Sequence, residues 1–72
     1  MHPLQKLADE LGVTVNRLAT RSGTARSNLR DKIHRNLPVK TMQVKTIASM
    51  SRNTGFSPGE LLDKLLAYEG EN

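Results

Sequence analysis

Residues 18–35 read LATRSGTARSNLRDKIHR, a stretch holding four arginines (Arg21, Arg26, Arg30, Arg35), one lysine and one aspartate. Gly23 and Thr24 divide it into two segments, and each keeps its apolar residues at helical spacing. Upstream, Val15, Leu18 and Ala19 make one inward face, with Thr14 as the predicted cap and Gly23 just beyond the end. Downstream, Thr24 is the predicted cap of a helix over about residues 25–35, with Leu29 and Ile33 one turn apart on one side. Two helices crossing over a tight turn need a small residue in the first, glycine in the turn and an inward apolar residue on the second. Ala19, Gly23 and Leu29 meet those demands.

An earlier register competes. In LADELGVTVNRL the same roles fall to Ala8, Gly12 and Leu18, with a more apolar turn. That register leaves only Met1–Pro3 upstream for a supporting helix and puts Arg21 where an apolar residue is wanted. The later register has a supporting helix and a longer second helix whose outward positions are polar or cationic, so it is preferred.

The flanks complete an all-helical pattern. Leu4, Leu7, Ala8 and Leu11 sit at i, i+3, i+4 and i+7, with Pro3 in the first turn and Gly12 at the end. Asn36 and Pro38 mark a turn, after which a fourth helix is expected from about Thr41 to Asn53, burying Val44, Ile47, Ala48 and Met50 and stopping at Gly55. FSPGEL carries the clearest local signal. Ser57 and Glu60 form a capping box, Pro58 takes the first helical position and Phe56 can staple onto Leu61. A last helix follows with Leu61, Leu62, Leu65 and Leu66, and residues 69–72 are expected to fray. No stretch alternates with period two. The expectation is an all-α, compact five-helix domain over residues 1–72, with a helix-turn-helix formed by helices 2 and 3.

Composition narrows the function. A chain of 72 residues has room for one small core. Cysteine is absent, so disulfides and thiolate sites are excluded. Only His2 and His34 offer imidazole nitrogens, with no carboxylate at ligand spacing, so neither a metal nor a cofactor is expected. No Ser–His–acid set or phosphate-cradling glycine loop is present, which argues against an enzyme. No apolar run reaches the roughly 20 residues that a membrane helix needs, and the start, MHPLQKLADE, lacks the layout of a signal peptide. A cytoplasmic, nucleoid-associated protein is expected. The net charge of +4 is unevenly spread: residues 17–52 carry nine basic side chains against Asp31 alone, and the flanks are acidic. A basic middle between acidic ends points to one face for a polyanion. Lys45 and Arg52 are expected to face solvent as ordinary surface positions.

GVTVNRLATRSGTARSNLRDKI resembles the motif of the lambda-repressor-like, Xre/Cro-type DNA-binding domains, and FSPGELL resembles the start of their fifth helix. The resemblance spans about residues 4–66 and implies a sequence-specific, double-stranded-DNA-binding transcriptional regulator of the phage- or plasmid-repressor kind. A helix of this sort reads base edges with its N-terminal residues. Arginine can bond guanine O6 and N7, and asparagine can bond adenine. Arg26 and Arg30 are therefore the leading base-readers, followed by Ser27 and by Asn28, which can also turn sideways to the backbone. The resemblance adds Asp31 as an outward position. It also implies a phosphate clamp at the start of helix 2, from Thr14, Asn16 and Arg17. Thr24, Arg35, Asn36, Lys40 and Thr41 are further phosphate candidates. Leu62, Leu66 and Tyr68 are expected to form a homodimer that sets two reading helices about 34 Å apart on a two-fold operator. The alternative is an antitoxin-type protein-interaction module, for which changes in the Leu61–Tyr68 stripe or the acidic tail would matter most. RNA binding is disfavoured because Phe56 and Tyr68, the only aromatic residues, lie outside the basic region.

Overall fold

Helix α1 (Pro3–Leu11) opens on Pro3, and its cap is a residue that sequence reasoning passed over. His2 is buried; its Nδ1 accepts the Leu4 N–H at 3.1 Å and its Nε2 donates to the Leu37 carbonyl at 2.8 Å. The pair of bonds matches the tautomer that carries its proton on Nε2. One imidazole thus satisfies an orphan donor of α1 and tethers a loop 35 residues away. The computed structural model describes residues 1–71. Among them are five α-helices and no strand: after α1 come α2 (Val15–Arg21), α3 (Arg26–His34), α4 (Val44–Thr54) and α5 (Pro58–Gly70).

Helices α1, α2 and α3 end in the same way. The residue after each is left-handed or leads directly into one: Gly12 has φ 72°, Gly23 φ 67° and Asn36 φ 52°. In each case two backbone bonds close the end: Gly12 N–H to Asp9 and Val13 N–H to Ala8, Gly23 to Thr20 and Thr24 to Ala19, Asn36 to Ile33 and Leu37 to Lys32. This is the Schellman arrangement, which satisfies carbonyls the helix leaves open and turns the chain sharply. Gly23 sits between α2 and α3, where a side chain at positive φ would be strained.

The core lies where the helices meet. Leu4, Leu7 and Ala8 of α1, Leu18 and Ala19 of α2, Leu29 of α3, Ile47 and Met50 of α4, and Leu61 and Leu65 of α5 are all buried together. Arg21, the second inward position of the earlier helix-turn-helix register, is exposed. Ala19 and Leu29 are buried either side of Gly23, and Ala8 and Leu18 are buried either side of Gly12, so burial meets the demands of both registers, and the packing of α2 with α3 is consistent with the later one.

Four expectations are corrected. Thr24 does not cap α3; its N–H completes the end of α2, Ala25 takes the cap position without a side-chain bond, and Thr24 Oγ1 accepts from Asn28 Nδ2 at 3.2 Å. The fourth helix does not start near Thr41. A 3-10 turn over Val39–Thr41 precedes it, held by the Met42 N–H to the Val39 carbonyl and by Thr41 Oγ1 donating to the Pro38 carbonyl. That turn shifts the register, so Val39 and half-buried Met42 fill the apolar positions and Val44 is 83% exposed rather than buried. Residues 69–71 are not a loose tail. Helix α5 runs to Gly70, Glu69 Oε2 accepts the Val39 N–H at 2.6 Å and Glu71 pairs with Lys6; Asn72, also expected to fray, lies outside the described residues. Tyr68, expected on a dimer surface, is 8% exposed and belongs to the protomer's own core.

Helix α5 starts as the sequence predicts. Ser57 Oγ accepts the Glu60 N–H at 3.2 Å, and the Ser57 N–H donates to Glu60 Oε1 at 3.3 Å. The bonds from the Ser57 side chain and backbone hold the Glu60 carboxyl below its ordinary value. This contribution is full above the ordinary carboxylate pKa and is lost as pH falls through the lowered one.

His2→Ala removes both a cap and a long-range tether. It is expected to destabilise the fold by about 1–2 kcal/mol in urea unfolding at neutral pH. A midpoint equal to the wild type would contradict the capping role.

Candidate nucleic-acid interface

Helix α3 is nine residues long, too short to be stable alone. Leu29 is its one fully buried residue, and Ile33 packs half-buried behind it. Every other residue of α3 except half-buried Lys32 is exposed. At 100° per residue, the direction opposite Leu29 and Ile33 falls on Ser27 and Asp31. Ser27, Arg30, Asp31 and His34 indeed line one shallow depression on the outer face. Arg30 also borders a second groove of about 500 Å³, where α3 meets the start of α2, alongside Thr14, Asn16, Gln5 and Asp9. Asn28 lies on the other flank, beside α4.

The charges on this face are open. Among the described residues, neither Arg26 nor Arg30 is in an ion pair. Asp9, which shares the groove with Arg30, accepts from Gln5 Nε2 at 3.0 Å instead. Asp31 pairs with Arg35 at 3.4 Å across one helical turn, so the single acid of residues 17–52 is taken up by Arg35. Two flank acids are engaged on the far side. Lys64 reaches Glu10 at 2.9 Å, Lys6 pairs with Glu71, and both lysines lie over the Tyr68 ring, at 5.5 and 4.9 Å from its centroid.

The phosphate candidates fall on two edges. On one, Thr14 Oγ1 accepts the Arg17 N–H at 3.1 Å and so caps α2, leaving the Asn16 and Arg17 side chains exposed in its first turn. On the other, Arg35, Asn36, Lys40 and Thr41 are all exposed along the link from α3 to α4. That link is pinned from beneath by His2 on the Leu37 carbonyl and Glu69 on the Val39 N–H. Thr24 stands apart from both edges, half-buried in the turn and occupied by Asn28. Leu62 and Leu66 are 39% and 44% exposed on α5.

Sequence reasoning missed two features here. One is His2, a residue type seldom chosen as a cap, whose bond to Leu37 depends on tertiary contact. The other is the placement of Lys45 and Arg52, which line a groove with the Ser22–Ala25 turn. Their spacing of i and i+7 on a helix with no acid was the available signal. Among the described residues no group of histidines and acids could hold a metal, and no helix is long and apolar enough to cross a membrane. Comparison with protein-family models, with curated proteins and with solved structures finds no match for this chain.

The anchor and the open face separate by mutation. Leu29→Ala is expected to cost about 2–5 kcal/mol of stability, whereas Arg26→Ala with Arg30→Ala should stay within about 0.5 kcal/mol. Thermal or urea unfolding of the two variants reads the difference, and a large loss from the arginine pair would mean that they hold the fold.

Proposed function

We propose that this protein is a sequence-specific, double-stranded-DNA-binding regulator that inserts α3 into the major groove. The observation that carries the reading is the exposed, unneutralised pair Arg26, at the first position of α3, and Arg30, on its flank, on a helix anchored by Leu29. The major groove admits an α-helix and offers guanine O6 and N7 to arginine. Ser27 and Asp31 occupy the outermost positions of α3, where a hydroxyl can bond either way and a carboxylate can accept from cytosine N4. Asp31 also fixes Arg35 by its ion pair. The start of α2 and the link from α3 to α4 would grip phosphate on either side, setting register without reading sequence. Leu62 and Leu66 are the exposed leucines of α5 and would join two copies on a two-fold operator. The protein works as a binding module without cofactor or catalysis.

The exposure of Leu62 and Leu66 also favours a second reading, a protein-interaction module whose α5 covers a different partner. The two readings differ in where mutation acts.

Selection of bound sequences from a random duplex pool, repeated at two salt concentrations, should return a defined site with two-fold symmetry. Arg26→Ala with Arg30→Ala should lower preference for that site by tenfold or more, at about 1–3 kcal/mol per lost bidentate pair. Unchanged preference in that variant, or no enriched sequence from the wild type, would overturn the reading.

A further inference from the structure

Between the turn that joins α2 to α3 and the side of α4 runs a groove of about 420 Å³. One wall carries Thr24 and Asn28; the other carries Lys45, Ser49 and Arg52. These last three recur at i, i+4 and i+7 and so share one face of α4. No acid lines the groove, α4 itself contains none, and among the described residues neither Lys45 nor Arg52 is in an ion pair. The acids that flank them in sequence are engaged elsewhere, Asp31 with Arg35 and Glu60 in the capping box of α5. The two walls come close at Gly23, where a Cβ would stand in ordinary contact, 3.5 Å, with Ser49 Oγ. Ala25 and Gln43, the cap residues of α3 and α4, also border the groove and supply no side-chain cap, which adds positive helix ends to the field of the two cations.

We infer that this groove is a phosphodiester site, in which Lys45 and Arg52 hold the DNA strand that runs past the start of α3. The inference rests on the DNA-binding reading and extends it to residues that the sequence marks only as surface. Charge sets the ligand's sign, and spacing sets its length. Lys45 and Arg52 lie seven residues apart, about 10.5 Å along the helix axis. That is more than one free phosphate spans, and it suits a strand whose phosphates succeed one another at about 3.4 Å of axial rise. Asn28 links the groove to the reading helix. Its Nδ2 donates to Thr24 Oγ1, which leaves the amide oxygen and one N–H toward the strand and places the residue on the phosphate side of α3 rather than on base edges.

The test compares wild type with Lys45→Ala/Arg52→Ala on the selected duplex across a salt series. Each phosphate contact contributes about 0.9 to the slope of log K against log salt. The double variant should therefore lose about 1.8 from the slope while keeping its sequence preference and its melting temperature. Lys45→Glu/Arg52→Glu should weaken binding further in the same direction. An unchanged slope in the alanine variant, with wild-type binding intact, would overturn the groove assignment and leave the reading helix standing. A reduced slope in a protein without sequence preference would support the groove and sink the base-reading role of α3. Inorganic phosphate is the control for a free anion: saturable NMR shifts at Thr24, Asn28, Lys45 and Arg52 together with an unchanged slope would overturn the strand as occupant. A wild-type chain that binds no duplex at any salt would overturn both readings.

Discussion

Burial of Leu29 is the constraint on which the rest depends. Helix α3 is short and largely polar, and isolated helices of this length are marginal in water. Its persistence therefore comes from one fully buried leucine, with Ile33 beside it, docked against the core that α1, α2, α4 and α5 build. That economy has a structural consequence. With so little of α3 needed for anchoring, most of the helix is free to carry polar and cationic groups into solvent. The turn at Gly23 then sets its direction, because the left-handed residue and the paired backbone bonds around it fix how α3 leaves α2.

Electrostatics follow the same division. Acids on the flanks pair with Lys6 and Lys64 on the side of α1 and α5, or accept a backbone N–H, as Glu69 does from Val39. Exposed ion pairs of this kind add little stability. What they do is hold Glu10 and Glu71 on the side of α1 and α5, away from the cations Arg26, Arg30, Lys45 and Arg52, which are in no ion pair among the described residues. His2 and Glu69 reinforce the arrangement, because both hold the backbone of the link that carries Asn36, Lys40 and Thr41.

Much of this was legible in the sequence, and the exceptions have a common cause. The helices announce themselves through leucine spacing and through Gly12, Gly23, Gly55 and the Ser57–Glu60 box, all local signals. The Ala19–Gly23–Leu29 triple likewise locates the packing of α2 against α3. Where the reading failed, the deciding bond was either long-range or aperiodic. His2 caps α1 while reaching Leu37, a contact that no window of sequence contains. The 3-10 turn at Val39–Thr41 has no hydrophobic period of its own, so it displaced the start of α4 and turned Val44 outward. Thr24 looked like a cap but was claimed by the end of α2. Tyr68 reads as part of a leucine-rich surface, yet the lysines above its ring leave it in the core. The outward positions of α3 followed directly from the anchor, whereas the alignment of Lys45 and Arg52 with the turn required the fold.

The central claim is that the exposed face of α3 meets base edges in the major groove. Methylation interference on the selected duplex tests it without altering the protein, since guanine N7 faces the major groove and adenine N3 the minor. The account predicts that methyl groups on guanine N7 within the site block binding, at positions repeated with two-fold symmetry. Interference confined to adenine N3, or none from either, would contradict it.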